Sequence, residues 1–198
     1  MPQHLQGCRL PVPASRTVTP GFHLLVQGRY DPEFWLHLGV PAAATLDDLD
    51  AFLRTIWLEC CGHLSQFEFQ DATYVSNPVV AGDLGGSSMK VALGSLLRPG
   101  LLFYHQYDFG SPTDLSLTVV GERPLPRARK PIQLLARNEA PAIRCSVCGA
   151  LATQVCGECL YEGSWWLCEG CAGEHECGEE ALLPVVNSPG VGTCGYVG

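Results

Sequence analysis

Hydrophobic and polar positions alternate in several short segments of the first 122 residues, which is the pattern of half-buried β-strands. The first two segments predict an antiparallel pair, because Asp31-Pro32-Glu33 between them has the composition of a turn. The last two predict a second hairpin around a Gly, Ser, Pro and Asp-containing loop. The predicted strands are residues 22–30, 34–38, 67–69, 73–75, 101–109 and 115–120.

One longer segment has the period of a helix instead. Apolar residues recur at three- and four-residue steps from Leu46 to Cys60, and Thr45 and Asp48 occupy the two positions of a capping box. Asp50 is expected on the opposite, polar face. The combination predicts an α+β fold class: a small antiparallel sheet packed on an amphipathic helix, followed by a small zinc-stapled module.

The chain is expected to fall into five parts. A proline-rich lead-in precedes the α+β domain, and a basic, proline-rich linker with a possible strand at residues 132–135 connects that domain to the cysteine-rich module. The last part carries no charge after Glu180, so we expect it to pack back on the body. These parts are residues 1–20, 21–122, 123–144, 145–180 and 181–198.

The cysteine-rich module contains eight soft ligands in four pairs. A Cys-x2-Cys turn can direct two sulfurs at one metal ion, and two such turns complete a tetrahedron. Three Cys-x2-Cys turns within 27 residues are rarely chance, so buried thiols alone are a poor explanation. The predicted ligands of two structural zinc ions are Cys145, Cys148, Cys156, Cys159, Cys168, Cys171, His175 and Cys177.

The spacing leaves two pairings open. In a cross-brace the first and third pairs share one ion and the second and fourth share the other, whereas in a sequential arrangement neighbouring pairs combine. The spacing resembles that of B-box and, less closely, MYND-type zinc fingers, and this resemblance implies the cross-brace. Iron–sulfur binding is a minor alternative, because cluster ligation normally uses four cysteines per site.

Charge is distributed unevenly and bears on the partner. Residues 1–122 carry six basic and twelve acidic side chains, whereas residues 123–144 carry six basic side chains and one acidic. Residues 145–198 contain seven Glu and no Lys or Arg, so the module lacks the cations that contact phosphates. We therefore expect a protein partner for the module. Nucleic acid remains an alternative only through the linker, at Arg127, Arg129 and Lys130.

The apolar runs, the N-terminal segment and the number of cysteines indicate where the protein is located. No apolar window reaches the length of a membrane span, and the N-terminus lacks the basic and apolar regions of a secretion signal, so we expect no membrane association. Eleven cysteines without such a signal favour a reducing compartment, which predicts a cytoplasmic protein.

The sequence gives little support for a catalytic site. Asp108-Phe109-Gly110 matches the metal-binding tripeptide of kinases, but no other kinase motif accompanies it. His105 is expected to be a core histidine rather than an acid–base partner of Asp108 or of the loop 82–88. Cys60 and Cys61 are expected to be one buried and one boundary thiol. Cys194 is expected to be a buried thiol, with a substitute metal ligand in place of Cys177 as the alternative. A non-enzymatic protein is therefore favoured over an enzyme.

Two motifs resemble the plasmid pRiA4b ORF-3-like family. The segment 45–49 (TLDDL), followed by Ile56 and Trp57, is similar to the family's helix motif, with Asp50 where histidine is usual. The segment 104–110 (YHQYDFG) is similar to its aromatic Asp-Phe-Gly hallmark. The resemblance covers roughly residues 22–122 and implies an α+β fold with an appended zinc module. Some members carry a transposon label, which implies a link to mobile elements for the nucleic-acid alternative.

Overall fold

The computed structural model describes residues 18–81, 85–126, 131–159 and 165–198. Thirteen strands are assigned within these ranges. They are β1 Val18–Thr19, β2 Gly21–Gly28, β3 Trp35–Pro41, β4 Ser65–Phe69, β5 Ala72–Val75, β6 Ser87–Ser88, β7 Leu102–Tyr107, β8 Thr113–Glu122, β9 Leu125–Pro126, β10 Gln133–Arg137, β11 Gln154–Cys156, β12 Trp166–Leu167 and β13 Leu182–Pro184.

Three short α-helices are assigned in the described part of the chain: α1 Leu46–Leu53, α2 Pro78–Ala81 and α3 Glu169–Ala172. A π-helical turn, Arg54–Leu58, continues α1 directly. Two 3₁₀ turns lie at Leu93–Ser95 and Glu179–Ala181. None of the helices in the described ranges has the length and apolar character needed to cross a membrane.

The main sheet has eight strands in the order β10-β3-β2-β8-β7-β4-β5-β6. Both predicted hairpins are present, as the antiparallel pairs β2–β3 and β7–β8. The α+β class is confirmed, but the sheet is larger than expected, and its last pair, β5–β6, is parallel. The size arises because β2 pairs with β8, which joins the two hairpins into one surface.

Helix α1 covers one face of this sheet. Thr45 and Asp48 form the predicted capping box, with the Asp48 amide donating to Thr45 Oγ1 and the Thr45 amide donating to Asp48 Oδ2. The helix buries its apolar stripe, which includes Leu46, Leu49 and Leu53, against the central strands. Burial of such side chains is the main stabilising contribution of the body.

The prediction for Asp50 was wrong, because this side chain faces the core and is only 5% exposed. Its carboxylate accepts hydrogen bonds from Arg54 Nε at 2.6 Å and from Ser65 Oγ at 2.7 Å. His105 Nε2 lies 2.8 Å from Asp50 Oδ1. A buried charge is tolerated when its hydrogen bonds are satisfied in this way.

Part of the segment expected to be a linker belongs to the sheet. Strand β10 pairs antiparallel with β3 and forms one edge, and β9 pairs with β1 as a separate ribbon. Leu125 of that ribbon lies so close to Gly39 that a β-carbon there would approach it to 2.8 Å. These contacts bind residues 125–126 and 133–137 to the body, while the predicted contact residues Arg127, Arg129 and Lys130 lie outside the described ranges.

The module has a small sheet of its own in the order β12-β11-β13. Its third strand comes from the tail, which therefore completes the module before it reaches the body. The tail contacts the π-helical turn that follows α1, where Ser188 Oγ donates to the carbonyl of Trp57 and Trp57 Nε1 donates to the carbonyl of Asn187. Val155 and Val191 are buried in the core of the body, so module and body share one apolar core.

Candidate metal centre

The eight predicted ligands are brought together in two groups of four. Each residue offers one ligand atom, and within a group these atoms lie within 4.8 Å of one another. The grouping combines the first Cys-x2-Cys pair with the third and the second with the fourth, which is the cross-brace order. The groups are Cys145, Cys148, Cys168 and Cys171, and Cys156, Cys159, His175 and Cys177.

The first group is built from a tight turn and a helix start. The Cys145 amide donates to the Ala150 carbonyl and the Gly149 amide to the Cys145 carbonyl, so the chain reverses around the first pair. Gly149 has φ +76°, a value that a residue with a β-carbon adopts only with strain. Cys168 precedes α3 and Cys171 lies within it, so one helical turn aims both sulfurs to the same side.

The second group lies where the small sheet meets the end of α3. Cys156 ends β11, and its amide donates to the Trp165 carbonyl. The His175 amide donates to the carbonyl of Ala172, which places the imidazole just beyond the helix. Because α3 contains Cys171 and begins directly after Cys168, and His175 follows its end, this one short helix positions ligands of both groups.

The interatomic distances fit tetrahedral coordination. Cys148 Sγ and Cys168 Sγ are 3.6 Å apart, and Cys159 Sγ lies 3.5 Å from Cys177 Sγ and 3.6 Å from His175 Nε2. A tetrahedral zinc ion with Zn–S bonds of about 2.3 Å holds its sulfurs about 3.8 Å apart. Sulfur-rich sets with one histidine are also the donor chemistry that zinc prefers. The residues present therefore fit a bound metal ion in both groups.

The pKa values of the thiols diverge within each group. Hydrogen bonds from the backbone amide of Cys148 lower the pKa of Cys145 to about 6. Hydrogen bonds that the Cys171 thiol donates to the sulfurs of Cys168, Cys148 and Cys145 raise its pKa to about 12. In the second group, Cys177 and Cys156 likewise raise the pKa of Cys159 to about 12. Crowded thiols resist full ionisation, and a divalent ion removes that resistance by neutralising the thiolates.

A third group of potential ligands lies outside the module. Cys60, Cys61 and His63 follow the end of the first helical segment, and Cys194 reaches them from the tail. The prediction of a buried Cys194 was wrong, because this residue is exposed, and Cys61 is exposed as well. The Cys-Cys-x-His spacing was the signal in the sequence, but nothing local indicated that a residue from the tail would join it.

The candidate catalytic residues have separate partners. His105 is fully buried on the core face of β7, as predicted, and faces Asp50 and Phe67. Asp108 has φ +61° and leaves the strand, and its carboxylate accepts from the Gly110 amide. Residues 82–84 of the proposed loop lie outside the described ranges. Among the residues that the structure describes, His105 and Asp108 do not form a pair.

Comparison with known proteins gives the fold alone. No family model matches the chain, and no curated protein matches it significantly. Among solved structures, the chain is similar to a protein of unknown function, MM3350, from Methanosarcina mazei Go1. The match has a TM-score of 0.52 and 19% sequence identity, and covers 61% of this chain and 70% of the archaeal protein. The likeness supports the fold and carries no functional information.

Proposed function

We propose that this chain is a non-enzymatic zinc-binding protein whose C-terminal module holds two structural zinc ions and serves as a protein-interaction module. The observation that carries the proposal is the convergence of eight ligands into two separate, complete tetrads. Four protein ligands fill the coordination sphere of a zinc ion and leave no position for a reactive water. The role that follows for each ion is to hold the fold.

The surface of the module supports protein binding. Val147 and Leu151 flank the first turn and are 68% and 56% exposed. Exposed apolar side chains next to a rigid metal-held turn are suited to docking on a partner. Residues 145–198 also carry seven Glu and no Lys or Arg, so a partner with basic residues would complement the charge of this region.

Metal content and pairing can be tested together by native mass spectrometry of the full chain. Two double variants distinguish the pairings: Cys148→Ser with Cys168→Ser, and Cys148→Ser with Cys159→Ser. In the cross-brace the first variant removes one ion of the module and the second removes both. Sequential pairing gives the reverse result, and Ser146→Ala serves as a control that keeps both ions. A wild-type module without bound zinc would refute the proposal.

The interaction role needs a separate test. Capture of cellular partners by the wild-type chain is compared with capture by Val147→Asp and Leu151→Asp variants. Val79→Asp is the matched control, because Val79 is 90% exposed but lies on the body. We expect one partner to be lost with the module variants and kept with the control. Equal capture of partners by all three variants would refute the proposed docking surface.

The charge of residues 123–144 supports a second candidate, a nucleic-acid-associated protein linked to mobile elements. Contact would be made by Arg127, Arg129 and Lys130, since Arg137 is engaged with the Asn187 carbonyl at 2.8 Å. Binding of duplex DNA would then weaken steeply with salt and vanish when the three residues are changed to Gln. Binding that is insensitive to salt would exclude this candidate.

We also propose that residues 22–122 belong to the pRiA4b ORF-3-like family. The motif residues have structural roles that a shared fold would preserve: Leu46, Leu49 and Trp57 are fully buried, and Asp108 occupies a turn with positive φ. An experimental structure of an established member tests the assignment. We expect its helix motif and its aromatic hairpin to occupy the places of α1 and β7, and a different strand order would contradict it.

A further inference from the structure

We propose that Cys60, Cys61, His63 and Cys194 form a third metal site, which binds a thiophilic divalent ion such as zinc and ties the tail to the body. These residues lie outside the module, so the inference goes beyond the proposed function and does not depend on it. Their four ligand atoms lie within 4.8 Å of one another. Three thiols and one imidazole are a common donor set for structural zinc.

The turn that carries three of the ligands is held in place by its neighbours. The Gly62 amide donates to Glu59 Oε1 at 2.6 Å, and the amides of Cys60 and His63 both approach the hydroxyl of Tyr107, at 3.4 and 3.3 Å. Gly62 has φ +75°, which lets the chain reverse between the cysteine pair and the histidine. The geometry of these ligands is therefore set by the body.

His63 has the surroundings of a metal-bound histidine. Its Nε2 lies 3.2 Å from Cys194 Sγ, on the side of the other ligands. Its Nδ1 lies 3.7 Å from Asp108 Oδ1 on the opposite side. Metal-bound histidines usually direct their second ring nitrogen at a carboxylate, which fixes the ring and strengthens the ligand. Asp108 would thus be a positioning residue for this site.

Cys194 has an unfavourable backbone conformation. It has φ +46°, a region that residues other than glycine, asparagine and aspartate rarely adopt. Strain of this kind persists where surrounding contacts enforce it and often marks functional positions. Cys194 also lines a small cavity together with Cys60 and Asp108. A bound ion explains why a cysteine occupies this position.

Such a site would fix the tail to the body. It joins the end of the first helical segment to the tail, whose residues 182–184 form a strand of the module. Loss of the third ion would loosen the tail next to Cys194 without removing any ligand of the other two ions. Because two of the four cysteine and histidine residues are exposed, this ion should be removed by a chelator before the other two.

The test uses the full chain and measures zinc per chain by native mass spectrometry under reducing conditions. We expect Cys61→Ser and Cys194→Ser each to bind one zinc ion fewer than the wild type, whatever the module holds, and the neighbouring control Thr193→Ala to bind as many as the wild type. Asp108→Asn should keep the site but weaken its zinc affinity by about 10- to 100-fold. A wild-type chain whose zinc content is unchanged by Cys194→Ser would overturn the proposal.

Alkylation of wild-type protein supplies a readout that needs no variant. Cys61 and Cys194 are exposed, so iodoacetamide can reach both thiols when no metal is bound. The hydrogen bond with Cys60 raises the pKa of Cys61 and desolvation raises the pKa of Cys194, so the labelling is carried out in alkaline buffer, where the free thiols ionise. We expect protection of both in zinc-loaded protein and rapid labelling after mild chelation, with peptides quantified by mass spectrometry. Rapid labelling of zinc-loaded protein would overturn the proposal. So would a disulfide between Cys194 and Cys60 or Cys61 in protein isolated without oxidant.

Discussion

The body and the module of this chain are stabilised by different means. The body buries a large apolar cluster that runs from Phe22 on β2 to Val119 on β8 and includes the stripe of α1. Among the residues that the structure describes, the module's own cluster has Cys156, Leu167 and Ala172 as its buried members, and Cys156 is itself a predicted ligand. Val155 of the module is buried in the core of the body instead, and Trp165 and Trp166 pack against that core. The module thus has little apolar burial of its own and shares the rest with the body, so we expect its fold to depend on metal ligation far more than the fold of the body does.

Chelation should have the largest effect and should separate the two regions. Zinc ligation contributes about 10 kcal/mol or more per site at neutral pH, far more than three small buried side chains. Treating the full chain with a strong chelator should unfold residues 145–181 and expose Trp165 and Trp166 to solvent, while the main sheet persists. Tryptophan fluorescence and the positions of protease cleavage check this. Resistance of residues 145–181 to protease after complete zinc removal would contradict it.

A substitution that leaves a cavity in the core of the body should destabilise the body and leave the metal sites of the module intact. Phe103 is fully buried on β7 and stacks on Phe69 with ring centroids 4.7 Å apart. Phe103→Ala should lower the free energy of unfolding of the body by about 3–5 kcal/mol. Urea unfolding measured by circular dichroism gives this value. The zinc content of the module should not change, and a parallel loss of zinc would mean that the two regions are not stabilised separately.

The buried charge cluster of the body should respond to both mutation and pH. Burial opposes ionisation of Asp50, but His105, Arg54 and Ser65 outweigh burial and lower its pKa. Asp50→Asn should destabilise the body by about 3 kcal/mol at pH 7, because it leaves Arg54 and His105 without their anion.

The sign of the pH effect follows from the lowered pKa of Asp50. The stabilisation is present above the ordinary carboxyl pKa and is lost as the pH falls through the lowered value. The difference in unfolding free energy between wild type and Asp50→Asn should therefore shrink on acidification below about pH 4. Asp47→Asn is the exposed control. A difference that stays constant down to the lowest pH at which the body folds would argue against the cluster.

The smallest effect is expected at the helix start. Thr45→Ala removes the cap of α1 and should cost about 1 kcal/mol of body stability. Thr45→Ser keeps the hydroxyl and should restore most of it. The denaturant midpoints of the wild type and the two variants measure these differences. The zinc content should be the same in all three proteins.

The features that were predictable from the sequence are local. The capping box at Thr45, the two hairpins and the cysteine pairs each depend on residues a few positions apart, and the structure contains all of them. The eight-stranded sheet was not predictable in this way, because alternation within β2 and β8 does not specify that they pair.

The misplacement of Asp50 has a related cause. Helical periodicity assigns an acidic residue to the solvent face, and only the arrival of His105, 55 positions later, makes its burial tolerable. The third ligand group escaped prediction for the same reason, since Cys194 lies 131 positions beyond His63. Distant pairs of this kind leave no local signal in the sequence.

The strand order also has a consequence for synthesis on the ribosome. The β2–β3 hairpin emerges early, but its neighbours in the sheet, β8 and β10, are translated roughly 75 to 100 residues later. Both edges of the nascent hairpin therefore remain open, with unpaired backbone groups, while most of the chain is made. Such an intermediate is prone to aggregation, so slowing translation after β3 should lower the yield of soluble protein more than slowing it after β10.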